Sequence, residues 1–266
     1  MTPRTVLLSD QFLNRVTITG ADDSIEPEDL IGIYNDFPFV EWGILLSSSS
    51  FPDGRPRFPS EDWLRRLYNV STQEDRFFDI GGWMHVKKFP LSGHLCGKWV
   101  KDVMNGTWSF VKDTNRFIPN MFSRYQLNYH GTAHELTDTF CDAFSEPWFR
   151  GRQVIVQCDG VNDNVYDQLQ ANKIVSAKFF DISHGAGVVP EEWPEATKGD
   201  YCGYGGGLSP DNVEDQIEAI WERVPRGQLA WIDTETKVRS NDDEQFDLNK
   251  VWDFLKKCEP WIKGCT

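Results

Sequence analysis

The chain has 266 residues, 39% of them hydrophobic, and a formal net charge of −14, which gives enough apolar material for a sizeable core in one large domain. The charge opposes a broad grip on duplex nucleic acid, because a polyanion must be met by Lys and Arg on the binding face. The sequence has no run of about 18 apolar residues and no basic-then-apolar start, so neither a membrane span nor secretion is indicated and a cytosolic protein is expected.

In chain order, the stretch 15–19 alternates like a short strand into Gly20, and Asp22-Asp23-Ser24 leads to a helix over 27–35. A second strand, 40–47, runs into a loop rich in Ser and Pro that ends Arg55-Pro-Arg57-Phe-Pro-Ser60, where Ser60 caps a helix with Trp63, Leu64 and Leu67 on one face. The third strand spans 91–97, with a helix over 98–104 behind it. A fourth, 121–128, ends at Tyr129-His130-Gly131 and is expected to pass into a helix over 132–144. The fifth, 153–157, turns at Asp159-Gly160 before a helix over 164–172. The sixth, 175–181, leads to His184-Gly185-Ala-Gly187, and the seventh to Gly205-Gly206-Gly207-Leu-Ser209-Pro210, which places a capping hydroxyl and a first-turn proline ahead of a helix. The eighth, 229–233, precedes a closing helix over 246–258 with Val251, Phe254 and Leu255 on one face.

Strand and helix alternate eight times, with several strands apolar throughout, as when both faces of a parallel sheet are covered. The expected fold is therefore α/β, a single (β/α)8 TIM barrel over 1–266, with extensions at 1–14, 71–90 and 105–120. The residues that follow each strand gather on one rim of such a barrel, where catalytic groups sit. This rim would hold Thr19, Asp22, Ser47, Arg57, Cys96, Asn128, Asp159, Asp181, Gly205 to Gly207 and the segment from Asp233 to Arg239.

Two glycine turns at successive strand ends suit an anion, because without Cβ atoms their N–H groups approach an oxyanion closely. Gly185, Gly187, Gly205, Gly206 and Gly207 are the candidate phosphate cradle, and the barrel would be of the ribulose-phosphate-binding type. Six cysteines are scattered without a C-x-x-C pair, so reduced thiols are the default. His94 and Cys96 lack further ligands at metal spacing. No metal and no cofactor are expected; the partner is a phosphorylated small molecule, and the oligomeric state is not legible.

The order of these motifs resembles phosphoribosylanthranilate isomerase, a tryptophan-biosynthesis barrel. Phe180-Asp181, the turn to Gly187 and Trp193 follow the family's sixth strand. Gly206-Gly207-Leu208-Ser-Pro210-Asp-Asn212-Val213 matches its seventh, and Ile232-Asp233-Thr-Glu-Thr236-Lys237-Val238-Arg239 stands where its eighth ends. Gln126-Leu127-Asn128-Tyr-His130-Gly131 is similar to the end of its fourth strand, and Arg57-Phe58 to an Arg-Tyr pair that faces the substrate. Where the family has Ile-Cys-Gly, with the Cys as general base, this chain reads Ile18-Thr19-Gly20.

The resemblance implies an Amadori rearrangement with Asp181 as general acid, its pKa raised by Phe179, Phe180 and Trp193 around it. Thr19 cannot replace a thiolate without an activating partner, so the base is sought among Asp22, His94 and Cys96. For His94 and Cys96 the alternative is that one lies inside the barrel and one outside, or that both go into packing. Arg57 suits a ligand carboxylate or phosphate, and Asn128, Asp233 and Thr236 join the binding set. Lys237 and Arg239 add positive charge, which points to a ligand such as a diphosphate or nucleotide. Isomerisation of a phosphorylated sugar or nucleotide-type ligand is one expectation. The alternatives are a barrel that only sequesters or senses a phosphorylated metabolite, and a different reaction on a nucleotide or nucleotide sugar.

Overall fold

Eight of the apolar runs become strands because each has one face to bury against helices and another to turn into a closed interior. The computed structural model describes residues 6–72, 78–79, 82–83, 89–115, 117–181, 183 and 186–264. The strands are β1 (Leu13–Thr19), β2 (Val40–Ser47), β3 (Leu91–Cys96), β4 (Arg124–Asn128), β5 (Gln153–Cys158), β6 (Ser176–Phe180), β7 (Cys202–Gly205) and β8 (Ala230–Thr234). Every one is parallel to its neighbours in sequence, and β8 closes onto β1. The fold is a (β/α)8 barrel. Among the described residues no helix is long and apolar enough to cross a membrane.

The helices are α1 (Pro27–Asp36), α2 (Glu61–Thr72), α3 (Lys98–Met104), α4 (Ser109–Asp113), α5 (Phe117–Met121), α6 (Asp163–Ala171), α7 (Val213–Arg223) and α8 (Leu248–Cys258). Ser60 Oγ accepts from Trp63 N at 3.2 Å at the start of α2, and Asp247 does the same for two amides of α8. The extension at 105–120 supplies α4 and most of α5, so β4 begins at Arg124 rather than 121. Most of the extension at 71–90 lies outside the described residues. In the extension at 1–14 a short 3-10 turn, Leu8–Asp10, precedes β1.

Three expectations about helices change. The stretch 132–139 is irregular, followed by the 3-10 turns Phe140–Ser145 and Pro147–Phe149. Its threonines bond elsewhere: Thr137 Oγ1 donates to Met104 O at 3.1 Å and Thr139 Oγ1 to Asn105 O at 3.3 Å, at the end of α3. Such side-chain bonds compete with helix formation. Between β6 and β7 the described residues hold no helix, so the alternation is not complete eight times. The helix after β7 starts at Val213, not at Pro210, which sits in the preceding turn.

Alternation along the strands sorts the side chains. Outward positions such as Ile18, Trp42, Ile44, Leu95, Leu127, Val156 and Ile232 join Trp63, Leu67, Leu169, Ile217, Phe254 and Leu255 of the helices in one large core. Inside the barrel a small apolar cluster of Ile155, Ala177, Phe179 and Trp231 fills one side. Apart from Leu45 and the glycines, most of the remaining inward positions are polar and buried: Thr17, Thr19, Glu41, Ser92, His94, Arg124, Gln126, Gln157 and Asp233. His94 and Cys96, two residues apart, therefore share the inward face rather than dividing between the two.

Glu41 is the electrostatic centre of the lower interior. Its carboxylate receives Arg15 Nη1 at 2.7 Å, Arg124 Nη1 at 2.8 Å and Thr17 Oγ1 at 3.2 Å. The Arg124 guanidinium also lies 4.3 Å from the centroid of the Trp231 ring. Removing one partner of such a buried group leaves charge without compensation, which costs far more than an exposed pair is worth. Glu41→Gln is expected to lower the unfolding free energy by about 3–5 kcal/mol in urea titrations; a change within error would show that the two arginines do not depend on it.

Candidate active site

The C-terminal ends of the strands surround a cleft that brings carboxyl, amide and imidazole side chains together with glycine-rich turns. Its walls are Asn128 and His130 after β4, Gln157 of β5, Asp181, Ser183 and Gly187 after β6, Gly205 to Leu208 after β7, and Asp233 to Lys237 from β8; His94, Gln126 and Phe179 form its floor. These are the rim positions that a closed parallel barrel makes available for chemistry.

The two glycine turns meet. Gly187, Gly206 and Gly207 have φ of +68°, +112° and +67°, a region in which a side chain is strained. A Cβ on Gly207 would lie 2.3 Å from Val189 N, and one on Gly206 3.3 Å from both Asp181 Oδ1 and Ser183 Oγ. From Gly187 a Cβ would reach Thr236 Oγ1 at 3.4 Å, so the ends of β6, β7 and β8 converge here. No described residue accepts from the N–H groups of Gly187, Gly206 or Gly207. Asn212 ties this turn to α7: its Oδ1 accepts from Ser209 N at 2.8 Å and its Nδ2 donates to Gly207 O at 3.0 Å. Lys237 is exposed at the same edge and has no ion pair among the described residues. Gly185 lies outside the described residues.

Beside these turns stand two carboxyl groups in different environments. Asp181 accepts from Gln157 Nε2 at 3.0 Å and from Ser183 Oγ at 2.7 Å. Asp233 accepts from Thr19 Oγ1 at 2.8 Å. Burial pushes the Asp233 carboxyl well above the usual carboxylate range, and the charges of Glu235, Glu41 and Asp181 push the same way; the Thr19 bond opposes them. Glu235 is also raised by burial, against the pull of Arg57. His94 moves in the opposite direction. Burial, helped by the Arg124 charge, takes its imidazole down to about 3, so it is neutral. Phe179 stacks on Trp231 inside the barrel, whereas Phe180 and Trp193 pack on Tyr204 outside it; the three do not enclose Asp181 together.

Several residues named from the sequence are engaged elsewhere. Asp22 Oδ2 accepts from Arg57 N at 2.6 Å and Arg239 Nη2 at 2.8 Å, while Oδ1 accepts from Ser24 N and Oγ. Arg57 binds Asp243 at 2.6 Å and Glu235 at 2.5 Å. Arg239 is buried against Asp22, Asp243 and the Gly20 carbonyl. Both guanidinium groups are thus neutralised within the protein, and Lys237 alone of the three cations offers an uncommitted charge. The Cys96 thiol receives Asn128 Nδ2 at 3.5 Å and is pushed up to about 12 by burial, so it stays protonated at neutral pH. Thr19 touches the site through Asp233.

Sequence reasoning gave no site role to Gln126, His130, Gln157 or Ser183, and held Glu235 only within the rim segment from Asp233 to Arg239. Alternation could have found two of the four: Gln126 stands two residues before Asn128, and Gln157 faces inward near the end of its strand. Among the described residues no group of three or more metal-ligating side chains assembles.

No family model matches the chain, and no curated protein matches it. Among solved structures it is similar to TrpF (phosphoribosylanthranilate isomerase) from Jonesia denitrificans, at 12% identity and a TM-score of 0.47, over 93% of this chain and 97% of that one.

A carboxyl held protonated in the fold but ionised in the unfolded chain makes stability fall as pH rises, from the usual value near 3.8 upward to its own raised value. Asp233→Asn removes that titration. Relative to the unmodified protein, the variant should therefore gain stability as pH rises from about 3.8 toward that raised value, by up to about 1.4 kcal/mol per pH unit. A stability difference between the two proteins that does not change with pH would contradict the raised value.

Proposed function

We propose that this barrel is an acid–base isomerase of a phosphorylated sugar, with the phosphate against the turns at Gly187 and at Gly206 and Gly207. The observation that carries the reading is the pairing of Asp233, whose carboxyl burial pushes well above the usual range, with Asp181 in a cleft whose adjoining wall holds Lys237 and glycine N–H groups that no described residue accepts from. Groups whose environments drive their protonation states apart divide the labour of acid and base.

On an open-chain aldose phosphate, the Asp181 carboxylate takes the proton from C2, and that electron pair forms the C1–C2 double bond. The C1 oxygen takes the proton of Asp233 as its own π electrons move onto it. In the second half the C2 hydroxyl returns a proton to Asp233, and Asp181 delivers its proton to C1, giving the ketose with no net loss of atoms. The resemblance gave Asp181 the donor's part; the raised pKa of Asp233 supports the reverse division. An Amadori substrate, with nitrogen in place of the C1 oxygen, needs the same two groups.

A second reading has one observation in its favour: the end of β1 carries Thr19, bound to Asp233, in place of a thiol. On that reading the barrel binds a phosphorylated metabolite without converting it. Solvent exchange separates the two. In D2O, with ribose 5-phosphate and phosphoribosylanthranilate as probes followed by NMR, the isomerase should place deuterium on the carbon next to the carbonyl or imine. Asp181→Asn should slow this by about 10²- to 10⁴-fold and leave inorganic phosphate affinity within about twofold, since the amide keeps the carboxylate's shape but cannot take a proton. Phosphate binding without exchange of either probe would favour the binding-only barrel.

A further inference from the structure

His94 and Gln126 are register partners across β3 and β4, both on inward positions at the floor of the cleft. They are 1% and 4% exposed. Each carries a buried polar atom without a hydrogen-bond partner among the described residues, Nε2 of His94 and Oε1 of Gln126. The Gln126 amide is held by its Nε2, which donates to Asn128 Oδ1 at 2.9 Å, so its oxygen is left as an acceptor. Gly43 keeps the opposite side open: a Cβ there would stand 2.8 Å from His94 Cε1 and 2.1 Å from Thr19 Oγ1. Buried polar groups are normally satisfied, and two unsatisfied ones at the floor of one cleft suit the oxygens of an entering ligand.

Resting on the isomerase reading above, we propose that His94 donates its Nε2–H to the sugar carbonyl oxygen on which negative charge develops as Asp181 takes the C2 proton, while Gln126 Oε1 accepts from a neighbouring sugar hydroxyl. No proton leaves His94. The imidazole acts as a fixed dipole aimed where charge develops, which is worth most in a site that excludes water. Its neutrality fits this part, because burial and the Arg124 charge below it keep the second proton off. Asp233 on the far side of Thr19 handles the proton itself, so the floor divides into one residue that moves a proton and one that holds charge.

The test compares two probes by calorimetry: ribose 5-phosphate, which resembles the ground state, and 5-phospho-D-arabinonohydroxamate, whose planar oxyanionic head resembles the enediolate. His94→Leu should weaken the hydroxamate by tenfold or more and ribose 5-phosphate by no more than about twofold, because a transition-state contact is lost selectively. His94→Gln, which keeps an amide donor, should recover part of the difference. Equal weakening of both probes, or no weakening of the hydroxamate, would overturn the assignment. Gln126→Leu gives a second arm that does not disturb the imidazole: both sugar probes should weaken while inorganic phosphate binds as before, and unchanged sugar binding would remove Gln126 from the proposal. If the unmodified protein binds inorganic phosphate but neither sugar probe, the isomerase reading itself fails, and this inference with it.

Discussion

Closure of eight parallel strands walls off every second side chain from water, and the rest of this structure follows from how those inward positions are filled. Outward positions could be made uniformly apolar, because helices cover them. Inward positions could not all be apolar if the barrel was to hold polar chemistry, and here only Ile155, Ala177, Phe179 and Trp231 form an apolar cluster inside. Charge in such a space must be compensated or suppressed. The lower interior compensates it, with Glu41 between Arg15 and Arg124. The upper interior suppresses it: burial pushes the Asp233 carboxyl well above its usual range and takes the His94 imidazole down to about 3.

That division links the foundation of the barrel to its mouth. The shifts of His94 and Asp233 come first from burial, and the charge of Arg124 adds to the one and that of Glu41 to the other, so the ion cluster below contributes to the titration of the groups above without touching a ligand. Around the rim a second cluster of Asp22, Arg57, Glu235, Arg239 and Asp243 joins the loops after β1, β2 and β8. It consumes the charge of both arginines. On the proposed reading, what the described residues leave to meet an anion is local: three glycine N–H groups and Lys237.

The strands were legible because alternation and apolar runs report a covered sheet directly, and the glycine turns because their conformations exclude most other residues. Partnership was not legible. Arg57 and Arg239 read as ligand anchors because a sequence displays a charge but not the carboxylates that fold onto it, Asp243 and Glu235 among them. The helix expected over 132–144 failed for a similar reason: Phe140, Ala143 and Phe144 have helical spacing, yet Thr137 and Thr139 bond to the end of α3. His94 was weighed as a base beside Cys96, but only burial beside Arg124 reveals that its imidazole is neutral and that the Cys96 thiol is held protonated.

If the ends of β6, β7 and β8 form one phosphate cradle beside Asp181 and Asp233, a crystal of the protein soaked with ribose 5-phosphate will show it. Phosphate oxygens should then lie within hydrogen-bond distance of the N–H groups of Gly187, Gly206 and Gly207, with Lys237 alongside and the sugar over Asp181 and Asp233. A phosphate bound instead by Arg57 and Arg239, with their ion pairs to Glu235, Asp22 and Asp243 broken, would contradict it.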